Sequence, residues 1–110
     1  FRMGWVVDYA DPDNFLYVLF HSSNIGAKGN YSRYNNPEFD KLVEQARVET
    51  AYDTRMALYQ KAEQILVDDA AWLFLFHYSN SVLYQPWVKN LHMPSFGDST
   101  TPLYNVWIQK

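Results

Sequence analysis

Two helical patterns joined by a short link occupy the middle of the chain and restrict its possible folds. Asn36-Pro37 predicts a helix start, because the Asn side chain can accept a hydrogen bond from an unpaired amide and Pro suits the first helical position. Apolar residues then recur at helical spacing to near Thr50, and Asp53 or Thr54 is the predicted cap of a second helix. Its predicted buried stripe is Met56, Tyr59, Ala62, Ile65 and Leu66. The short link predicts an antiparallel pair.

The segment before this pair combines a strand pattern with turn chemistry. Alternation over Phe1–Tyr9 predicts a strand. Asp11-Pro12-Asp13 predicts a turn, and Asp13 could cap a short amphipathic helix. A polar, glycine-containing loop is predicted from His21 to Tyr34, and loops of this length are usually functional or mobile.

Extended segments dominate the last third of the chain. Trp72–Tyr78 is nearly all apolar, which predicts a strand buried on both faces. Val82–Gln85 is a second predicted strand, Trp87–Leu91 a short extended piece and Leu103–Ile108 a last strand-like segment, with 93–102 as loop. The order strand, helices, strands predicts a mixed α/β (α+β) architecture, a small sheet with packed helices. No repeat or linker divides residues 1–110, so one domain is expected.

Several function classes find no support in the sequence. The net charge of -3, without any run of Lys or Arg, argues against nucleic-acid binding. There is no cysteine, so a disulfide, a thiol nucleophile or a Cys-bound zinc is excluded. His21, His77 and His92 are too scattered to predict a metal site. No nucleophile–base pair can be assembled, and Asp11 and Asp13 are more typical of amide caps, so neither an enzyme nor a cofactor is expected.

Trp5, Asp8 and Tyr9 form the one cluster with ligand-binding chemistry. A carboxylate can form a charge-assisted hydrogen bond with an ammonium group, and an indole gives an apolar wall and a possible cation–π contact. Strand periodicity places Trp5 and Asp8 on opposite faces, which counts against a shared site. The residues alone favour the simpler interpretation, in which Asp8 opens the turn and Trp5 is part of the core.

Several segments resemble one family of proteins. The stretch Gly4–Leu16, which reads GWVVDYADPDNFL, resembles the solute-binding proteins for dipeptides and oligopeptides, known as family 5. The other segments that carry the resemblance are Tyr34–Leu42, Leu58–Leu66, Trp72–Tyr78 and Pro86-Trp87-Val88. The resemblance covers nearly the whole chain, in the order and spacing of the family.

The resemblance implies a fold, a location and a site. The chain would be an incomplete C-terminal segment, residues 1–110, of a ligand-binding lobe of the periplasmic-binding-protein type II fold. The opening at Phe1 fits a piece of a longer protein, which would lie in the periplasm or be lipid-anchored at the outer face of the cytoplasmic membrane. In the matching pattern Trp5-Val6-Val7-Asp8, Asp8 would anchor the amino terminus of a peptide and Trp5 would wall the pocket. Gly4 and Val6 would offer backbone groups to the peptide.

Three functional hypotheses follow. In the first, the full protein captures a peptide and presents it to the ABC permease of the inner membrane. In the second, the ligand is an oligosaccharide that stacks on Trp5 and other rings. In the third, the chain is an interaction module without a small ligand. Because truncation exposes apolar surface, the isolated chain is also expected to self-associate.

Overall fold

The computed structural model describes residues 4–26, 28–75, 81–93 and 103–109. Within these ranges three helices are present: α1 spans Asp13–Phe20, α2 spans Pro37–Val48 and α3 spans Tyr52–Asp68. The strands β1, Val88–Lys89, and β2, Trp107–Ile108, form a small sheet. The predicted mixed architecture of helices and a small sheet is confirmed. The chain divides into two compact units, residues 1–75 and residues 76–110, and the assignment of residues 1–110 to one lobe stays a prediction.

The core of the first unit lies among its three helices. Each helix presents apolar side chains at helical spacing, so that one stripe is buried while the opposite face stays wet. The side chains that form this core are Leu16, Leu19, Phe20, Phe39, Val43, Ala46, Tyr59, Ala62 and Leu66. Burying a side chain as large as Leu or Phe contributes roughly 1.5–3 kcal/mol, so this cluster is the main source of stability in the unit.

The start of α2 follows the predicted chemistry. Oδ1 of Asn36 accepts hydrogen bonds from the backbone amides of Glu38 (2.9 Å) and Phe39 (3.3 Å), and Pro37 is the first helical residue. The helix ends at Val48, slightly before the predicted limit near Thr50. The helix start encoded by Asn36-Pro37 is therefore confirmed.

The predicted cap of α3 is wrong. The helix begins at Tyr52 after Ala51, and neither Asp53 nor Thr54 caps it. The reason lies in the link, where Oε1 of Glu49 accepts a hydrogen bond from the amide of Ala51 (2.8 Å) and so fixes the turn before the helix. Asp53 instead lies in the first helical turn, where its charge suits the helix dipole.

The buried stripe of α3 is narrower than predicted. Tyr59, Ala62 and Leu66 are buried, as expected for residues that face α1 and α2. Met56 and Ile65 are only half-buried and pack at the edge of the core.

The predicted strand Phe1–Tyr9 is wrong over its described part. Residues 4–9 are irregular, and Phe1–Met3 lie outside the described residues. The amide of Asp8 donates to the side chain of Asn14 (3.1 Å), which replaces a bond to a neighbouring strand. Asp13 is the first residue of α1 and not its cap. Its own amide donates to Oδ1 of Asp11 (2.9 Å), so the predicted carboxylate–amide chemistry occurs two residues earlier.

The predicted polar loop contains a short 3-10 helix, Ser22–Asn24, and is organised by one buried amide. The side chain of Asn30 is fully buried, and its Nδ2 donates to the carbonyl oxygens of Phe20 (3.0 Å), His21 (3.2 Å) and Tyr34 (2.8 Å). Its Oδ1 accepts from the hydroxyl of Ser32 and the amide of Tyr34. The described part of the loop is therefore held by buried hydrogen bonds, which are costly to break.

Two further predicted strands are not formed where the structure describes them. Residues 72–75 are irregular, with Leu73 and Leu75 exposed by 84% and 72%, and Phe76–Tyr78 lie outside the described residues. Val82–Gln85 is also irregular, and Leu83 is 99% exposed. A strand buried on both faces needs paired neighbours and covering layers. The part of the chain that the structure describes supplies neither for these segments.

The sheet of the second unit joins two of the predicted extended pieces. Val88 pairs with Ile108 and Lys89 with Trp107 in an antiparallel ladder. The side chain of Asn90 donates to the carbonyl of Asn105 (3.1 Å), which supports the ladder at one end. The predicted extended segments Trp87–Leu91 and Leu103–Ile108 thus meet, although each contributes only two strand residues.

Candidate ligand-binding site

The structure brings Trp5 and Asp8 together at the start of α1. Nε1 of the Trp5 indole donates to Oδ1 of Asn14 at 2.8 Å, and the backbone amide of Asp8 donates to the same oxygen at 3.1 Å. Nδ2 of Asn14 lies 3.5 Å from Oδ2 of Asp8. Because the segment is not a strand, the alternation that would separate Trp5 from Asp8 does not apply.

The carboxylate of Asp8 is open to solvent. Asp8 is exposed, and among the described residues it takes part in no ion pair. Its contact with Asn14 is at the outer limit of hydrogen bonding, so the described residues leave most of its acceptor capacity unused. A cation that reached this carboxylate would meet a charged acceptor without displacing an ion-pair partner from the part of the chain that the structure describes.

The other predicted site residues precede this carboxylate along the chain. Trp5 is half-buried and packs against the core, whereas Gly4 and Val6 are exposed. No backbone hydrogen bond within the described ranges uses Gly4 or Val6. A side chain at Gly4 would meet open space. Backbone groups that are exposed and that no described residue pairs can bind an extended peptide.

Asn14 contacts both candidate site residues, which the sequence pattern did not reveal. It lies in the first turn of α1 and is only 1% exposed. A buried amide must find hydrogen-bond partners, and here the partners are Trp5 and Asp8. The available signal was an Asn among the apolar positions of a short helix, three residues after a D-P-D turn begins.

Two ion pairs hold the turn that follows Asp8. Nη2 of Arg55 lies 2.6 Å from Oδ1 of Asp11, and Nε of Arg47 lies 2.9 Å from Oδ1 of Asp13. The hydroxyl of Tyr9 donates to the other oxygen of Asp13 at 2.7 Å. These five residues line an open cleft of about 230 Å³. Because its charges are paired with each other, we interpret the cleft as a structural feature in which ion pairs connect the turn to α2 and α3.

The pKa values of two side chains record these contacts. The hydrogen bond from Arg55 lowers the pKa of Asp11, against the opposing effect of partial burial. The hydrogen bond that Tyr9 donates to Asp13 raises the pKa of Tyr9. Both shifts fit groups that serve structure, since they keep Asp11 ionised and Tyr9 protonated near neutral pH.

The described histidines are engaged by neighbours. His21 is buried, with Nδ1 2.8 Å from the hydroxyl of Ser23 and Nε2 3.2 Å from Oε1 of Glu44. Nε2 of His92 lies 3.0 Å from Oδ1 of Asn90, and His77 is outside the described residues. Over the described ranges, no group of three His, Cys, Asp or Glu side chains could hold a metal ion.

Comparison with known proteins identifies the family. No family model matches the chain. The periplasmic oligopeptide-binding protein OppA of Salmonella typhimurium is 40% identical over 109 residues, which is 98% of this chain and 18% of that protein. The periplasmic murein peptide-binding protein MppA of Escherichia coli is 40% identical over 88 residues, 80% of this chain and 16% of that protein. The chain belongs to the family 5 solute-binding proteins.

A relative named for a different ligand is also similar to the chain. Heme-binding protein A of Haemophilus influenzae is 40% identical over 94 residues, 86% of this chain and 17% of that protein. The chain therefore spans less than a fifth of the length of the curated relatives it matches. These relatives are all named as binding proteins. The family predicted from the sequence motifs is confirmed, and the match to OppA includes the segment with Trp5 and Asp8.

None of the described helices is both long enough and apolar enough to cross a membrane.

Proposed function

We propose that this chain is a segment of an extracytoplasmic protein that captures peptides for an ABC importer. The proposal rests on the similarity to proteins named for oligopeptide, murein peptide and dipeptide binding, three of which are named periplasmic. The exposed carboxylate of Asp8, linked to the Trp5 indole through the side chain of Asn14, is the structural observation that supports it. A membrane permease would be the downstream partner.

In this proposal Asp8 pairs with the free amino terminus of the peptide. Trp5 forms an apolar wall beside that amine, and the exposed backbone of Gly4 and Val6 bonds to the extended peptide. The remainder of the cleft lies in other parts of the protein, and residues 1–110 form a segment of one lobe of a type II binding-protein fold. Closure of two lobes would then exclude water from the Asp8–ammonium pair and strengthen it.

The amine contact has an expected size. A hydrogen bond with a charged partner contributes about 1.5–3 kcal/mol, and each 1.4 kcal/mol corresponds to roughly a tenfold change in affinity. Acetylation of the peptide amino terminus removes this charge. We therefore expect the full-length protein to bind N-acetylated peptides about 10- to 100-fold more weakly than the same peptides with a free amine.

Isothermal titration calorimetry of the full-length protein tests the function. The titrants are a defined peptide pool, its N-acetylated form, hemin and a set of oligosaccharides. The hemin arm is needed because one relative is named for heme binding. Binding of the free peptides with a clear loss on acetylation supports the proposal. Equal affinity for both peptide forms would show that Asp8 does not bind the amino terminus of the peptide. Binding of hemin or a sugar without any peptide binding would overturn the peptide assignment.

A further inference from the structure

We infer that Asn14 is a positioning residue for the amine-binding carboxylate, because one buried amide oxygen fixes both Trp5 and Asp8. This inference rests on the proposed peptide-binding function. Two donors converge on Oδ1 of Asn14: the indole of Trp5 at 2.8 Å and the backbone amide of Asp8 at 3.1 Å. The same side chain also directs Nδ2 toward the carboxylate of Asp8 at 3.5 Å.

The hydrogen-bond pattern allows one orientation of the Asn14 amide. Trp5 Nε1 and the Asp8 backbone nitrogen can only donate, so the atom between them must be the amide oxygen. The NH₂ group then faces the carboxylate of Asp8, which is an acceptor. The reversed amide would place donors against donors on one side and an oxygen against a carboxylate on the other.

Asn14 joins an irregular segment to a rigid one. Residues 4–8 have no strand or helix of their own, so nothing in their local backbone fixes the direction of Trp5 or Asp8. Asn14 is 1% exposed and lies in α1, two residues before the core residue Leu16. The helix therefore fixes the position of the Asn14 amide, and the hydrogen bonds of that amide fix Trp5 and Asp8 in the irregular segment.

This arrangement reduces the cost of ordering the site when a peptide binds. A carboxylate and an indole that are already placed lose less freedom on binding than two groups on a free segment. At the same time Asn14 leaves the acceptor capacity of Asp8 largely unused, since its contact with that carboxylate is long. The amide thus orients the anchor and leaves it available to the ligand.

The test compares affinities of the full-length protein for one free-amine peptide and its N-acetylated form. The wild type is expected to prefer the free amine by about tenfold or more. Asn14→Ala removes the shared acceptor, so the preference should fall to within about threefold of equality.

A control variant separates positioning from stability. Arg55→Met breaks the ion pair with Asp11 and loosens the same turn, but it leaves the acceptor of Asn14 in place. It should lower the melting temperature and keep the free-amine preference of the wild type. If Asn14→Ala does not fold, Asn14→Ser is measured by the same ratio, because its hydroxyl is too short to reach both donors.

The outcomes distinguish this inference from the proposed function. A wild type without any free-amine preference contradicts the proposed function. A wild type with the preference and a folded Asn14→Ala or Asn14→Ser that keeps it contradicts the positioning role alone. Hydrogen exchange of the wild type gives a check that needs no variant: the Asp8 amide should be protected, and exchange at the rate of a free amide would overturn the inference.

Discussion

Nη2 of Arg55 lies 2.6 Å from Oδ1 of Asp11 and ties α3 to the turn in front of α1. Nε of the same guanidinium donates to the carbonyl of Ala46 on α2 at 3.1 Å. One side chain of α3 therefore links α2 to the turn in front of α1. The planar fork of an arginine suits this task, since its several donors point in fixed directions.

Breaking this ion pair should loosen α1. Both side chains are mostly shielded, with exposures of 27% for Asp11 and 21% for Arg55. We expect Asp11→Asn and Arg55→Met each to lower the opening free energy of α1 by about 1–3 kcal/mol, and the double variant to lower it by less than the sum. Hydrogen exchange of the α1 amides in the full-length protein measures the opening free energy of α1 in each variant. Lys61→Met on the exposed face of α3 is the control, and strict additivity of the two changes would contradict a direct pair.

Acid should weaken the same contact. Because the pKa of Asp11 is lower in the folded protein than in the unfolded chain, its contribution is fully present above the unfolded pKa of about 4. The contribution is lost as the pH falls from about 4 through the lower, folded pKa. Hydrogen exchange of α1 from pH 6 down to pH 3 should therefore show a loss of protection that Asp11→Asn lacks. Equal pH dependence in the two proteins would contradict this account.

The sequence predicted α2 well because its signal is local. Asn36 and Pro37 specify the start of the helix within a few residues, and the structure uses both as expected. The three extended segments Phe1–Tyr9, Trp72–Tyr78 and Val82–Gln85 were predicted less well. Whether an apolar run becomes a strand depends on partners that are distant in the chain, and the described residues provide none for these runs.

The sequence indicated which side chains the candidate site contains but not how they contact each other. Trp5 and Asp8 could be named from their side chains and from family resemblance. Asn14 could not, because its role depends on the irregular path of residues 4–8, which brings two donors to one oxygen. Arg55 was also hidden, since it reaches Asp11 across 44 residues of sequence.

Gly29 should be intolerant of a side chain. Its φ angle is +139°, and a Cβ atom there would clash with the carbonyl oxygen of Val18 in α1. We expect Gly29→Ala to lower the melting temperature of the full-length protein by several degrees through backbone strain and this clash. Gly26→Ala is the matched control, because Gly26 also has a positive φ of +93° but would place its Cβ in open space. An equal effect of the two substitutions would show that the approach to Val18 is unimportant.

The isolated 110-residue chain is expected to self-associate. Leu83 is 99% exposed and Tyr104 is 84% exposed in the second unit, and Leu73 is 84% exposed in the first. Exposed apolar surface of this kind promotes association in water. Light scattering over a range of concentrations should show a rising mass, and Leu83→Glu should reduce that rise. A constant monomer mass at every concentration would contradict the expectation.

The most direct measurement is a crystal structure of the full-length protein with a bound peptide that has a free amino terminus. We predict that the ammonium nitrogen lies about 2.7–2.9 Å from a carboxylate oxygen of Asp8, with the Trp5 indole beside it. A bound peptide whose amino terminus pairs with another acidic residue, while Asp8 stays in solvent, would contradict the central claim.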